Sequence, residues 1–326
     1  SYSCGLFIRF LTMTLTTVIV PPSLPVVQSP PSVPNVTDIR YFAPLVKDMA
    51  VCFVFFNPAK SKRMVMNYLY TVEKMKCAGI PFYTLELVYG SGDPELSEAF
   101  VVRARTCMFN KEQLCRLIEQ KVSWWYSKLL FMDADLVFGN PNWYYTVSES
   151  LNQHNVVQPF SSAVWMDITY TKALQERKSA VFMDRTKPYD SMLHPGFAWA
   201  FQRKWFRTYG FYEYGITGSG DTLSVAAWLG VDFKGNYLKP AFKPSFDEYK
   251  KETPRPTITC VPGKVYHLFH GITANRRYVD RHEIVNDIKD IRKIIRPNWS
   301  GVFELLNRDV ERRMRWYFMG RMDDGI

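Results

Sequence analysis

The chain has 326 residues, with 41 Lys and Arg against 31 Asp and Glu, a formal net charge of +10. Apolar residues make up 47% and aromatics 16%, which excludes an intrinsically disordered chain and suits one large domain or two small ones. No stretch reaches the ~20 uninterrupted apolar residues of a membrane helix, and nothing repeats at the period of about 20 to 50 that marks solenoids and propellers. The basic excess points to anionic partners (nucleotide diphosphates, nucleic acid, acidic membrane surfaces) or serves solubility alone. The cysteines at 4, 52, 77, 107, 115 and 260 form no Cys-x-x-Cys pair and no zinc-finger spacing, so no disulfide framework is expected.

Residues 4–20 are apolar and Thr-rich but interrupted by Arg9, and residues 11–16 alternate as a strand does. A signal or signal-anchor is the other reading of this stretch. The chain opens on Ser1, and Met13 could serve as a start preceded by residues 1–12. Seven prolines between Pro21 and Pro44 exclude a helix or a central strand, so residues 1–44 read as an extended arm or linker. Asn35-Val36-Thr37 is a glycosylation sequon, relevant only in a secreted protein. The compartment stays open: cytoplasmic or membrane-peripheral is favoured, and the secretory pathway applies if residues 4–20 act as a signal-anchor.

From residue 45 an α/β rhythm begins. Ala50–Phe56 is a continuous apolar run ended by Asn57-Pro58, which fits a strand buried on both faces. Ser61 opens a helix to about Cys77, stopped by Gly79 and Pro81. Phe82–Val88 is a second strand, Asn110 can cap a helix to about Val122, and Leu129–Met132 is a third strand. Strand, helix, strand, helix, strand is the rhythm of a sheet with crossover helices, which binds ligands at its strands' carboxyl ends. Asn57 and Asp133 should therefore face one crevice. After residue 140 the segments shorten, as expected of a less regular half that completes the site.

Three segments could carry chemistry. Asp133-Ala134-Asp135 closes the third strand, and at strand geometry both carboxylates point to one side. Like charges there need a cation or donors between them, and a hard divalent ion suits them. Gly215-Ile216-Thr217-Gly218-Ser219-Gly220-Asp221 lets backbone approach a partner closely and puts Asp221 at the start of an apolar helix, either as its cap or as a general base. In Val265-Tyr266-His267-Leu268-Phe269-His270-Gly271, two histidines three apart on a strand would point to opposite faces, one a ligand and the other a core residue. Arg276, Arg277 and Arg281 follow, and guanidinium groups suit phosphate recognition. No Ser-His-Asp order, P-loop or Gly-x-Gly-x-x-Gly motif appears.

The ordered set FMDADLVF, HPGFAWAFQRKWF (194–206), GSGDTLSVAAWLG (218–230) and VYHLFHG (265–271) resembles the GT-A class of sugar-nucleotide glycosyltransferases over roughly residues 50–285. The resemblance implies a GT-A-like (Rossmann-like) mixed central sheet flanked by helices in a single catalytic domain at 45–295, with a basic helical extension at 296–326. It implies a Mn²⁺ or Mg²⁺ ion, a nucleotide-diphosphate sugar as donor, and a hydroxyl acceptor on a glycan or glycoconjugate. Asp135 would hold the metal directly, and Asp133 through water or by reaching the ribose. His267 would complete the metal shell, with His270 as the alternative. Phe56, Asn57, Lys111, Arg276 and Arg277 would contact the nucleotide and its phosphates. Asp221 would be the general base of an inverting enzyme, or would position the acceptor in a retaining one. Trp199, Trp205 and Tyr209 are candidates for stacking on sugar faces. The turn reads Gly-Ser-Gly-Asp, not the Trp-Gly-x-Glu-Asp of galactosyl- and N-acetylgalactosaminyl-transferases, so donor and stereochemistry stay open.

Two other classes compete. A metal-dependent phosphodiesterase or nuclease also uses paired carboxylates and histidines, usually with more ligands for two metals. A nucleic-acid-binding protein could use residues 272–321, which hold 12 Lys/Arg and 7 Asp/Glu and include Arg312, Arg313 and Arg315 beside Trp316, Tyr317 and Phe318. The interleaved acids weaken that footprint. Core packing of this tail ranks first, contact with an anionic membrane second, nucleic acid last.

Overall fold

The computed structural model describes residues 33–42 and 45–324, which belong to one compact unit. The expectations for residues 4–20 and for most of the proline-rich arm lie outside the described residues. Asn35 is exposed, and its side-chain oxygen accepts from the Thr37 amide at 3.1 Å.

In chain order the elements are β1 (Met49–Phe56), α1 (Lys62–Ala78), β2 (Phe82–Tyr89), β3 (Phe100–Ala104), α2 (Lys111–Glu119), β4 (Lys128–Met132), β5 (Leu136–Phe138), α3 (Trp143–Ser150), β6 (Val156–Gln158), β7 (Ser162–Met166), β8 (Ala173–Lys178), β9 (Ala198–Gln202), α4 (Arg203–Tyr209), α5 (Gly220–Leu229), α6 (Lys243–Glu252), β10 (Ile258–Cys260), β11 (Lys264–His267), β12 (Ile295–Pro297), β13 (Phe303–Leu305) and α7 (Arg308–Met319). The central seven-stranded sheet runs β10-β6-β9-β4-β1-β2-β3. Strands β3, β2, β1 and β4 are parallel, whereas β9 is antiparallel to both β4 and β6. The protein is a mixed α/β fold with helices on both faces of this sheet.

β1 is an unbroken apolar run because both its faces are covered. Phe53 and Phe55 pack with Tyr68, Val72 and Met75 of α1, while Cys52 packs with Leu114, Cys115 and Ile118 of α2. α1 starts where Ser61 accepts the Met64 amide and stops where Gly79 turns left-handed at φ 68°.

A second sheet, β5-β11-β7-β8, stands beside the first. The chain leaves β4 at Met132 and enters β5 at Leu136, so Asp133-Ala134-Asp135 is the joint between the two sheets. These residues form a turn, not a continuing strand. The strand geometry from which one common side was expected for both carboxylates therefore ends at Met132.

The C-terminal helix α7 buries Val310, Met314, Tyr317 and Phe318 against a core shared with Cys107, Met108 and Ile216. Of its aromatic trio only Trp316 is exposed, and Arg312, Arg313 and Arg315 pair with Asp309, Asp287 and Glu311. The tail thus packs on the core, as its first-ranked reading has it, and the alternative basic aromatic surface is not assembled. Among the described residues no helix is long and apolar enough to cross a membrane.

Candidate metal and transfer site

Asp135, His267 and His270 offer one ligand atom each, all within 4.8 Å of one another. β11 pairs antiparallel with β5 and sets His267 opposite Leu136, next to Asp135. The Leu268 amide then donates to the Asp135 carbonyl at 2.8 Å. β11 ends at His267, the chain turns, and Gly271 at φ 85° turns it again. His270 thus folds back onto the same carboxylate. Its Nε2 is 2.7 Å from Asp135 Oδ2, and that of His267 is 3.4 Å away. The expectation that the two histidines part to opposite faces fails because the strand stops at the first of them.

Burial alone would raise the Asp135 carboxyl, but the two imidazoles outweigh it and hold the group well below the ordinary carboxylate range. Burial lowers His267 despite the pull of Asp135, which leaves a neutral imidazole with a lone pair to offer. Among the described residues Asp135 Oδ1 is buried with no partner. Two imidazoles, one carboxylate and one unspent buried oxygen fit a divalent cation.

Asp133 takes another partner, the Lys111 amine, at 2.5 Å. Its amide donates to the Phe197 carbonyl at 2.8 Å. Burial raises the Asp133 carboxyl, and Asp135 and Asp221 add to this against the pull of Lys111. Burial would lower Lys111, but Asp133, Asp221 and Glu112 together carry it up, so the amine is a firm cation among three acids.

Asp221 lies in the first turn of α5, whose cap position is taken by Ser219. Its Oδ1 accepts the Thr222 amide at 2.7 Å. Its Oδ2 lies over Gly196, where an added Cβ would stand 2.7 Å away. The neighbouring His194 Nε2 is buried without a partner, and burial keeps this ring neutral. Glu112 presses its carboxyl on Gly220, where a Cβ would meet it at 2.3 Å. Burial and the nearby Asp221 push the Glu112 carboxyl up to about 8. A small cavity of about 10 Å³ lies between Lys111, Glu112, Gly196 and Asp221.

The Gly-rich turn is held from the C-terminal half. His282 bridges Thr217 Oγ1 and Ser219 Oγ at 2.7 and 3.1 Å. The Arg281 guanidinium covers Gly218, leaving no room for a Cβ there. Phe197, at a left-handed φ of 73°, stacks on His267 at 4.8 Å and meets His194 edge-on at 4.0 Å. This strained residue ties the Asp135, His267 and His270 cluster to the Asp221 side of the crevice.

The remaining sequence-derived candidates divide. Arg276 donates to the His270 ring, to the His270 carbonyl at 3.0 Å and to Asp323 at 3.2 Å. Arg277 points outward and pairs loosely with Asp280 at 3.8 Å. Asn57 is buried, and its amide is engaged by Ser61 and Glu95 in holding the β1–α1 turn. Phe56 meets Phe109 edge-on at 6.2 Å. Trp199 and Trp205 are buried in the core against Trp228, so these two candidates offer no face to a sugar. Asn110 makes no capping bond.

The sequence reasoning missed Glu112, His194 and the acids Asp323 and Asp324. Residues 321–324 form a strap that joins the start of α1 to Arg276. Asp323 binds Arg276 and Arg321, and Asp324 accepts from Ser61 Oγ at 2.6 Å and the Arg63 amide at 3.0 Å. The only signal in the sequence was a pair of acids after an Arg-rich helix.

No family model matches the sequence, and no curated protein matches it. Similar solved structures include the catalytic domain of Drosophila β1,4-galactosyltransferase 7 in complex with xylobiose, at 15% identity and a TM-score of 0.35. That match covers 58% of this chain and 64% of the other, so the chain spans under two thirds of that domain. Glucosyl-3-phosphoglycerate synthase from Mycobacterium tuberculosis, with Mn²⁺, UDP and phosphoglyceric acid, matches at 13% identity over 68% of this chain and 70% of that one, with a TM-score of 0.36. Another structure of that synthase matches at 12% over 77% and 89%, with a TM-score of 0.38. At these identities and TM-scores the likeness carries no argument about activity, which rests on the side chains.

Proposed function

We propose that this chain is a metal-dependent glycosyltransferase of GT-A type that moves a sugar from a nucleotide-diphosphate donor to a hydroxyl acceptor. The observation that carries the reading is the convergence of Asp135, His267 and His270 at the end of β4, with Asp221 across the same crevice. Such a crevice at the carboxyl ends of parallel strands is where open α/β sheets take ligands. Asp135, His267 and His270 would hold the ion, and the two imidazoles favour Mn²⁺ over Mg²⁺. A bound divalent ion supplies Lewis-acid neutralisation of a diphosphate leaving group.

The chain's own residues do the rest. Arg276, beside His270, adds positive charge at the triad. Lys111 neutralises Asp133 and lies within the field of Asp221, so the crevice floor is not left with uncompensated acids. Asp221 keeps Oδ2 free of protein hydrogen bonds, and there it accepts the acceptor hydroxyl's proton as the new glycosidic C–O bond forms and the bond to the diphosphate breaks. This assigns inversion to the enzyme.

The test is thermal stability with UDP, GDP, CMP and dTDP sugars, each with Mn²⁺ and with EDTA. Stabilisation by one nucleotide only in the presence of metal is expected, following RT ln(1 + [L]/Kd). No stabilisation by any of them, or cleavage of a phosphodiester without sugar transfer, would overturn the reading.

A further inference from the structure

His270 presents Nε2 to Asp135, and its other ring nitrogen decides whether Nε2 can hold an ion. A neutral imidazole carries one proton. For Nε2 to give its lone pair to a cation, that proton must sit on Nδ1, and a buried N–H there needs an acceptor. His270 is 6% exposed, which favours an acceptor from the protein. Arg276 lies against the ring and bonds the His270 carbonyl at 3.0 Å, but a guanidinium only donates. Among the described residues, the carboxylates within reach of the His270 ring nitrogens are Asp135, on Nε2, and Asp323, whose Oδ1 stands 3.9 Å from Nδ1.

The strap brings Asp323 to this place and fixes it there. On one side Asp324 fastens the strap to Ser61 and the Arg63 amide. On the other side the strap presses on the turn after His270: a Cβ on Gly271 would stand 2.9 Å from the Met322 carbonyl and 3.2 Å from Asp323 Cα. Arg276 and Arg321 each reach Asp323 Oδ1 at 3.2 Å, and Asp323 is 5% exposed. Two guanidinium groups thus hold a buried carboxylate behind the imidazole. We propose that Asp323 is a positioning residue of the metal site: it accepts the Nδ1 proton of His270, fixes the tautomer, and leaves the Nε2 lone pair for the ion shared with Asp135 and His267. Arg276, which cannot accept, yields Nδ1 to Asp323 when the ion binds. This rests on the metal-site reading above and extends it to the far side of the ring.

The experiment is Mn²⁺ titration of the full chain, read by the EPR signal of the free ion. It is joined to the ring ¹⁵N spectrum of the 5 histidines with and without Zn²⁺ as a diamagnetic probe, the His270 signals being identified by their loss in His270→Gln. Asp323→Ala should lower Mn²⁺ affinity roughly 10–100-fold. Asp323→Asn, whose amide oxygen still accepts, should lose less. Asp324→Ala frees the strap from Ser61 but keeps Asp323, and its affinity should stay within a few-fold of wild type. With Zn²⁺ the wild-type His270 should carry its proton on Nδ1, a signature that a merely structural carboxylate would not produce. The positioning role falls if Asp323→Ala binds Mn²⁺ as wild type does, if Asp324→Ala loses as much as Asp323→Ala, or if His270 keeps its proton on Nε2 with Zn²⁺ bound. In each of these cases Mn²⁺ uptake by the wild-type chain keeps the metal-site reading. If the wild-type chain takes up no Mn²⁺, both fall.

Discussion

The Nε2 atoms of His267 and His270 lie 2.9 Å apart. Both rings face Asp135, at 3.4 and 2.7 Å. Three donor atoms this close, with His267 at a strand end and His270 in the loop after it, fit one ion in the proposed site.

Removing the carboxylate should therefore disable metal uptake without unfolding the sheet. Asp135→Asn is expected to weaken Mn²⁺ binding on the order of 100-fold, measured by titration calorimetry or by the EPR signal of free Mn²⁺. Unchanged Mn²⁺ affinity in this variant would place the ion elsewhere.

Asp221→Asn should lower transfer by roughly 10²–10⁴-fold, the usual cost of losing a general base. Nucleotide affinity with Mn²⁺ should stay within a few-fold of wild type. A joint loss of both would mean that Asp221 serves the donor.

Gly196→Ala puts a methyl 2.7 Å from Asp221 Oδ2. Asp221 must move, and overpacking of this kind costs about 1–3 kcal/mol. The expected result is a fall in kcat close to that of Asp221→Asn, with a smaller fall in Tm. Wild-type kcat would show that Oδ2 is not the reacting atom.

Glu112 gives a pH signature. Burial, and then Asp221, raise its carboxyl to about 8 in the folded protein, against an ordinary value of 4.5. The folded state therefore binds the extra proton between these values. Stability from this group is complete below the unfolded pKa and is lost as pH rises toward about 8, a difference of a few kcal/mol. Glu112→Gln cannot ionise, so its Tm should fall less between pH 5 and 8 than that of wild type. Parallel Tm profiles would show that Glu112 is not protonated in the fold.

The neighbouring strands β4, β1 and β2 were legible in the sequence, because β1 and β4 are buried on both faces and α1 has a serine cap and a glycine stop. β5 and β6 are three residues long, too short for a period to show. β8 alternates exposure along a polar sequence, as an edge strand does, and so offered no apolar stripe. In the site, Asp133 and Asp135 were visible as a pair, but their separate partners depend on a turn joining two sheets. Glu112 is buried at the start of α2 by its contact with Gly220, more than 100 positions on in the sequence, and nothing local shows it. Arg276 and Arg277 are adjacent in sequence, and nothing local says that one reaches His270 while the other faces solvent.

The strap at residues 321–324 has a consequence for the order of folding. Ser61 and Asp324 are separated by 263 positions, and Arg276 meets Asp323 across 47. Contacts of such long separation carry a large loop-closure entropy and form late. On the ribosome, β1 and α1 emerge early but wait for the strap to fasten the start of α1 and the Arg276 side chain behind His270. The crevice beside His270 is thus completed only once residues 321–324 are in place, long after β1 and α1 have been made.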